Sequence, residues 1–158
     1  MPNLSEVGNE YPNATDSIEL LAVSYRGGFV RFATSYTLDV EALQNLRKFQ
    51  SDYVIFVTYA DWCGDARRAV PVLSLLENET EFQIRAASGM TKPPYGSDEL
   101  WAIPPSPQEV KTFEVTSSPT IMIFKKDTGE EIGRIKTKPK MTSKIETEIL
   151  KIIEDSLA

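Results

Sequence analysis

Tyr53-Val-Ile-Phe-Val-Thr-Tyr59 is an apolar run of β-branched and aromatic residues, long enough for a buried strand and too short for a stand-alone helix. From Gly64 the spacing changes. Ala66, Ala69, Val70, Leu73 and Leu76 recur at helical intervals, which predicts an amphipathic helix. Glu77-Asn78-Glu79-Thr80 is a polar break, and Phe82–Ala86 alternates as a second strand. A helix crossing between the two strands makes them parallel. Further on, Thr120–Lys125 reads as a strand, Lys126–Gly129 as a turn and Glu131–Lys136 as the returning antiparallel strand. Lys138-Pro139-Lys140 breaks the sheet. A last helix starts near Thr142 or Ser143 and carries Ile145, Ile149, Ile152 or Ile153, and Leu157 toward the sheet.

The flanking segments are less regular. Residues 1–14 are polar, contain Pro2 and Pro12, and read as a mobile lead-in. Thr15 or Asp16 can cap a helix with Ile18, Leu21, Ala22 and Tyr25 on one face, ended by Gly27-Gly28. Phe29–Phe32 fits either a short strand or the start of another turn. A second helix begins around Asp39, with Val40, Leu43, Leu46 and Phe49 at helical spacing. Residues 15–50 are thus a helical extension ahead of a core at 51–158. Residues 88–107 are interrupted by Gly89, Pro93, Pro94, Gly96, Pro104, Pro105 and Pro107, so regular structure there is brief. The segment still carries Met90, Tyr95, Leu100, Trp101 and Ile103, and loops of such length within a domain are often functional. Gln108–Val115 reads as a short helix leading into Ser117-Ser118-Pro119.

Composition narrows the chemistry. A chain of 158 residues is about one domain. Its net charge of −6 argues against a nucleic-acid or anionic-membrane surface. No apolar run reaches the ~18 residues of a membrane span, and the first ten residues lack the basic and apolar regions of a secretory signal. One cysteine cannot form an intramolecular disulfide framework, which fits a reducing, cytoplasmic setting. With no histidine and a single cysteine, a zinc site of imidazoles and thiolates is excluded, as is a Ser-His-Asp or Cys-His arrangement. No metal or cofactor is expected.

That single cysteine, Cys63, stands where the first strand hands over to the helix. Unpaired backbone N–H groups and the positive end of the helix dipole face such a position, and both favour thiolate, the nucleophilic form. Gly64 leaves the sulfur uncovered. Arg67 and Arg68 add positive charge one turn on, opposed by Asp61 and Asp65.

Trp62-Cys63-Gly64-Asp65, followed by Ala66-Arg67-Arg68 and by Pro71 eight residues beyond the cysteine, resembles the active-site turn and kinked second helix of the thioredoxin family. It is most similar to the bacterial and archaeal branch that reads WCGDC, basic residues and then VPVL. Ser117-Ser118-Pro119-Thr120 is similar to that family's cis-proline before a strand. The resemblance covers roughly Ser51 to the C-terminus. It implies an α/β thioredoxin-like fold: a central mixed sheet flanked by helices, with the helical extension in front and the 88–107 segment inserted before the cis-proline.

The resemblance also implies roles. Cys63 is the nucleophile, and Trp62, Gly64, Asp65, Ser118 and Pro119 form the substrate cleft; the charge of Arg67 and Arg68, read from their position one turn on, makes them candidates to tune the thiol. Tyr95 and Trp101 either line the cleft or hold the long loop down. Three family positions differ. Ala66 stands where the resolving cysteine falls, and Val57 where classical thioredoxins bury a carboxylate. Thr137 stands roughly where a glycine is expected after the hairpin. Without a resolving cysteine, classical dithiol reductase activity is not expected. The leading expectation is monothiol exchange, giving a mixed disulfide at Cys63 with a protein disulfide or a low-molecular-weight thiol. The alternative is a non-catalytic thioredoxin-like binding module. Ala60-Asp61-Trp62-Cys63 does not match a peroxidatic Pro-x-x-x-Thr-x-x-Cys turn.

Overall fold

Both faces of the central strand are covered, which is why its apolar run is unbroken. A computed structural model of the chain describes residues 3–93, 101 and 105–158. In it, β1 (Tyr53–Thr58) is buried along its whole length. Tyr53, Ile55 and Val57 point into a core shared with the long helices, and Phe56 points into a second core on the opposite face. β1 pairs in parallel with β2 (Gln83–Ala87) and antiparallel with β3 (Thr120–Lys125), which pairs antiparallel with β4 (Glu131–Lys136). The strand order is β2-β1-β3-β4, a mixed sheet flanked by helices in the thioredoxin-like arrangement.

The extension differs from its sequence reading. Helix α1 (Ala14–Glu19) is capped by Asn13, whose side chain accepts from Asp16 N, rather than by Thr15 or Asp16. The chain breaks after α1, and α2 (Val23–Ser35) runs straight through Gly27-Gly28 and Phe29–Phe32. The glycines therefore end nothing, and Phe29–Phe32 is neither strand nor turn. The physical reason is helix contact: a Cβ on Gly28 would lie 2.5 Å from Cδ of Arg67 on the neighbouring helix. The close approach that glycine permits, together with full burial of Phe29, outweighs its low helix propensity. Helix α3 (Val40–Leu46) is capped by Asp39 as its spacing implies, but Val40 is exposed and Phe49 lies beyond the helix end.

The lead-in expected to be mobile is tied to the sheet. Leu4–Glu6 forms a 3-10 turn, Leu4 N donates to Gly129 O at 2.8 Å, and Ala86 N donates to Pro12 O at 2.8 Å. Val7 is buried in the second core. Helix α4 (Gly64–Glu79) follows β1 and buries Ala66, Ala69, Val70, Leu73 and Leu76, the positions its spacing marks. Pro71 sits within it and removes one helical hydrogen bond, to the Arg67 carbonyl. A short α5 (Gln108–Thr112) covers the second face, and α6 (Ile145–Leu157) closes the first.

Candidate functional site

Cys63 is the N-cap residue of α4. Its backbone is extended (φ −75°, ψ 127°), its side chain makes no capping hydrogen bond, and its carbonyl accepts from Arg67 N at 3.1 Å. The sulfur is half-buried at the seam where the two cores meet. Unpaired N–H groups of the first turn of α4 lie beside it, as at any helix start.

The loop before β3 supplies the opposite wall. The Ser118–Pro119 peptide is cis. The Cys63 thiol donates to the Ser118 carbonyl at 3.4 Å, and the Ser118 hydroxyl accepts from Ala60 N at 2.9 Å. These two contacts lock the loop to the turn that carries the cysteine. Thr137 N donates to the Pro119 carbonyl at 2.8 Å. Thr137 holds φ +69°, a left-handed conformation uncommon for a β-branched residue, at the place where the sequence led us to look for glycine.

Trp62 is about half exposed and stacks on Trp101, with ring centroids 6.0 Å apart and planes inclined by 19°. Trp101 also packs on the second core, so the pair ties Trp101 to the turn that carries Cys63. Tyr95 lies outside the described residues. Asp61 accepts from Gly89 N at 3.1 Å, holding the start of that segment. Asp65 pairs with Arg68 at 3.4 Å and with Lys138 at 3.8 Å. Arg67 lies across Gly28 of α2. Among the described residues neither arginine hydrogen-bonds to the sulfur; instead both line a cavity of about 300 Å³ beside Gly64, with Gly28, Arg31, Phe32 and Ser35. Beneath the turn, Ala66 and Val57 are both fully buried in the first core.

The structure thus brings together Cys63, Trp62, Gly64, Ser118, Pro119 and Trp101, and turns Asp65, Arg67 and Arg68 toward α2 and the loop after β4. Sequence reading missed Gly28 and Arg31. The only sequence signal for Gly28 is a glycine within otherwise helical spacing, and Arg31 carries none. Among the described residues, no group of three His, Cys, Asp or Glu side chains is placed to hold a metal ion. No helix among them is long and apolar enough to cross a membrane.

Comparison with known proteins adds the following. A family model described as thioredoxin matches residues 12–150. No curated protein matches the chain. Among solved structures, a protein of unknown function, PA1234 from Pseudomonas aeruginosa, superposes with a TM-score of 0.73 at 14% identity, covering 99% of both chains. An HIV epitope-scaffold superposes with a TM-score of 0.67 at 14% identity, covering 93% of this chain and 94% of its own. A reduced thioredoxin pre-protein from Schistosoma mansoni gives a TM-score of 0.43 at 15% identity, over 74% of this chain and 90% of its own. At 14% identity the first two likenesses concern the fold alone.

Proposed function

Since the chain belongs to the thioredoxin family, we propose that it carries out monothiol exchange at Cys63. The observation that carries this reading is the half-buried Cys63 at the start of α4, 3.4 Å from the carbonyl of Ser118 in a cis Ser118–Pro119 loop. In the reaction the Cys63 thiolate attacks one sulfur of a disulfide. The S–S bond breaks, a Cys63 mixed disulfide forms, and the departing thiolate takes up a proton. An external thiol then attacks the mixed disulfide and restores Cys63. Attack and release need two separate molecules because Ala66 offers no second sulfur.

The cleft residues divide the work. Backbone of the Ser118–Pro119 loop would pair with an extended or peptide-like partner, and the exposed face of Trp62 would cover the apolar part of the mixed disulfide. The WCGDC-type likeness of Trp62–Asp65 belongs with this reading, as does a reducing, cytoplasmic setting that supplies the releasing thiol. Fully buried Ala66 and Val57 fit a cycle with no resolving cysteine and no second proton transfer.

The test is alkylation of Cys63 by iodoacetamide at pH 6, native against denatured chain, with Cys63→Ser as the blank. An activated cysteine labels faster in the folded chain than in the unfolded one. Labelling that begins only on denaturation would overturn the proposal and leave the non-catalytic binding module.

A further inference from the structure

We propose that the arginine-lined cavity beside Gly64 is an anion subsite, and that the small partner of Cys63 is a disulfide carrying a carboxylate or phosphate. This rests on the monothiol reading for its chemistry, though not for its binding. The cavity lies in the crevice between α2 and α4, and its lining includes Gly64, the residue that follows Cys63. Arg31, Arg67 and Arg68 all reach it, and the lining contains no carboxylate among the described residues. Arg68 is pulled toward Asp65 at 3.4 Å. Arg31 and Arg67 have no carboxylate partner among the described residues.

Such a concentration of guanidinium runs against the molecule as a whole, whose net charge is −6. All three arginines are exposed, and the packing of the two helices sets where Arg67 lies. Absence of a side chain at Gly28 is what lets Arg67 lie across α2, since a Cβ there would come within 2.5 Å of its Cδ and 2.7 Å of its Nε. Planar guanidinium forks match carboxylate and phosphate oxygens two at a time, and two of them on facing helices can hold one anionic group from both sides. A volume of about 300 Å³ has room for a short acidic side arm, with Phe32 offering its apolar stem a surface. The sulfur of such a partner would then reach Cys63 from the Gly64 side, leaving the Ser118–Pro119 side to its remaining half.

The experiment uses three disulfides of similar size: dithiodipropionate (anionic), bis(2-hydroxyethyl) disulfide (neutral) and cystamine (cationic). Mixed-disulfide formation on the full chain is followed by mass at low salt. The expected order is anionic, neutral, cationic. In the Arg31→Gln/Arg67→Gln double variant the anionic-to-neutral rate ratio falls about tenfold, the scale of two partly exposed charge-assisted contacts. An unchanged ratio in that variant, or no preference in the parent chain, overturns the subsite.

A second arm removes the chemistry. With Cys63→Ser, dithiodipropionate is titrated while the Gly28 and Gly64 amide resonances are followed. Saturable shifts that vanish when Arg31→Gln and Arg67→Gln are added support the subsite even if Cys63 proves unreactive. Inorganic phosphate is titrated in the same way, to tell a general anion site from one that takes carboxylates. Absence of any shift with either anion defeats the proposal, whatever the thiol does.

Discussion

Ala66 is fully buried one turn into α4, and on the monothiol reading it stands where a two-cysteine cycle would need its second sulfur. A sulfur placed there would be shielded from solvent and within a single helical turn of Cys63. The Ala66→Cys variant is therefore expected to lose both free thiols on mild oxidation, with a mass decrease of two hydrogens. It should also reduce a protein disulfide to two free thiols without any external thiol, whereas the parent chain should stop at the mixed disulfide. Two persistently titratable thiols after oxidation would show that the turn does not hold disulfide geometry. Glu148 makes a different kind of residue-scale case. Its nearly buried carboxylate accepts from the backbone N–H groups of Lys140, Met141 and Thr142, each at 2.8 Å. Burial pushes its pKa up, but these hydrogen bonds outweigh burial and hold it below the ordinary value of 4.5. Because the folded value is the lower one, Glu148 contributes stability that is present above pH 4.5 and lost as pH falls through the folded value. A Glu148→Gln variant should be less stable by about 2 kcal/mol at neutral pH. It should also lose less further stability between pH 5 and 3 than the parent, as read by urea midpoints at each pH. Parallel profiles would mean the acid sensitivity lies elsewhere.

At the scale of elements, the sheet meets α6 at Gly133, where an added Cβ would stand 2.7 Å from Cγ2 of Ile152. Gly133 sits opposite Ile123 beside a register irregularity in the β3–β4 pair, so the approach of helix to sheet leaves no slack. Gly133→Val should destabilise the fold by about 1–3 kcal/mol through overpacking, although valine favours strands. Ile152→Ala should offset part of that loss when combined with it, and a chemical-denaturation cycle of the four chains measures the coupling. Gly133 and Gly28 also show where sequence legibility stops. β1, β3, β4, α4 and α6 can be read from runs and spacing because their own residues decide what they bury. α2 could not be read, because Gly27-Gly28 looks like a stop and its use lies in a contact with Arg67, a residue about forty positions away. Arg31 was invisible for the same reason: only the packing of α2 on α4 brings it into a cavity with Gly64 and Arg67. Cys63, Trp62, Ser118 and Pro119 were legible from local motif, whereas the Trp62–Trp101 stack joins residues 39 positions apart and no local pattern announces it.

Over the whole molecule, the N-terminal segment is fastened to the sheet and its helices through three tyrosine hydroxyls. Tyr11 donates to Glu109 at 2.5 Å, Tyr36 donates to Glu146 at 2.8 Å, and Tyr59 shares a hydrogen bond with Ser17. All three phenols hold their protons more tightly than an ordinary tyrosine at 10.0. For Tyr59 burial is the main cause, reinforced by Asp61 and opposed by hydrogen bonds to Ser17 and Ser88, and it is pushed up to about 12. Tyr11 and Tyr36 are raised by burial and then by their bonds to Glu109 and Glu146. A group whose folded value is raised gives stability that is complete below the unfolded value and lost as pH climbs through the folded one. The loss therefore begins above about pH 10, and it falls on the seam that joins α1 and α2 to the sheet. Urea midpoints should drop between pH 9 and pH 11.5, and the drop should be smaller in Tyr59→Phe, which has one hydroxyl fewer to titrate. Brief subtilisin digestion at pH 11 should cut first between residues 20 and 39, with β1 through β4 still protected. First cuts in the C-terminal half, or equal drops in the two chains, would mean that the tyrosines do not govern how the extension is held. The seam matters to the site as well, since α2 supplies Gly28 and Arg31 to the cavity beside Gly64. Releasing the extension at alkaline pH should therefore abolish any preference of Cys63 for anionic disulfides before the sheet itself unfolds.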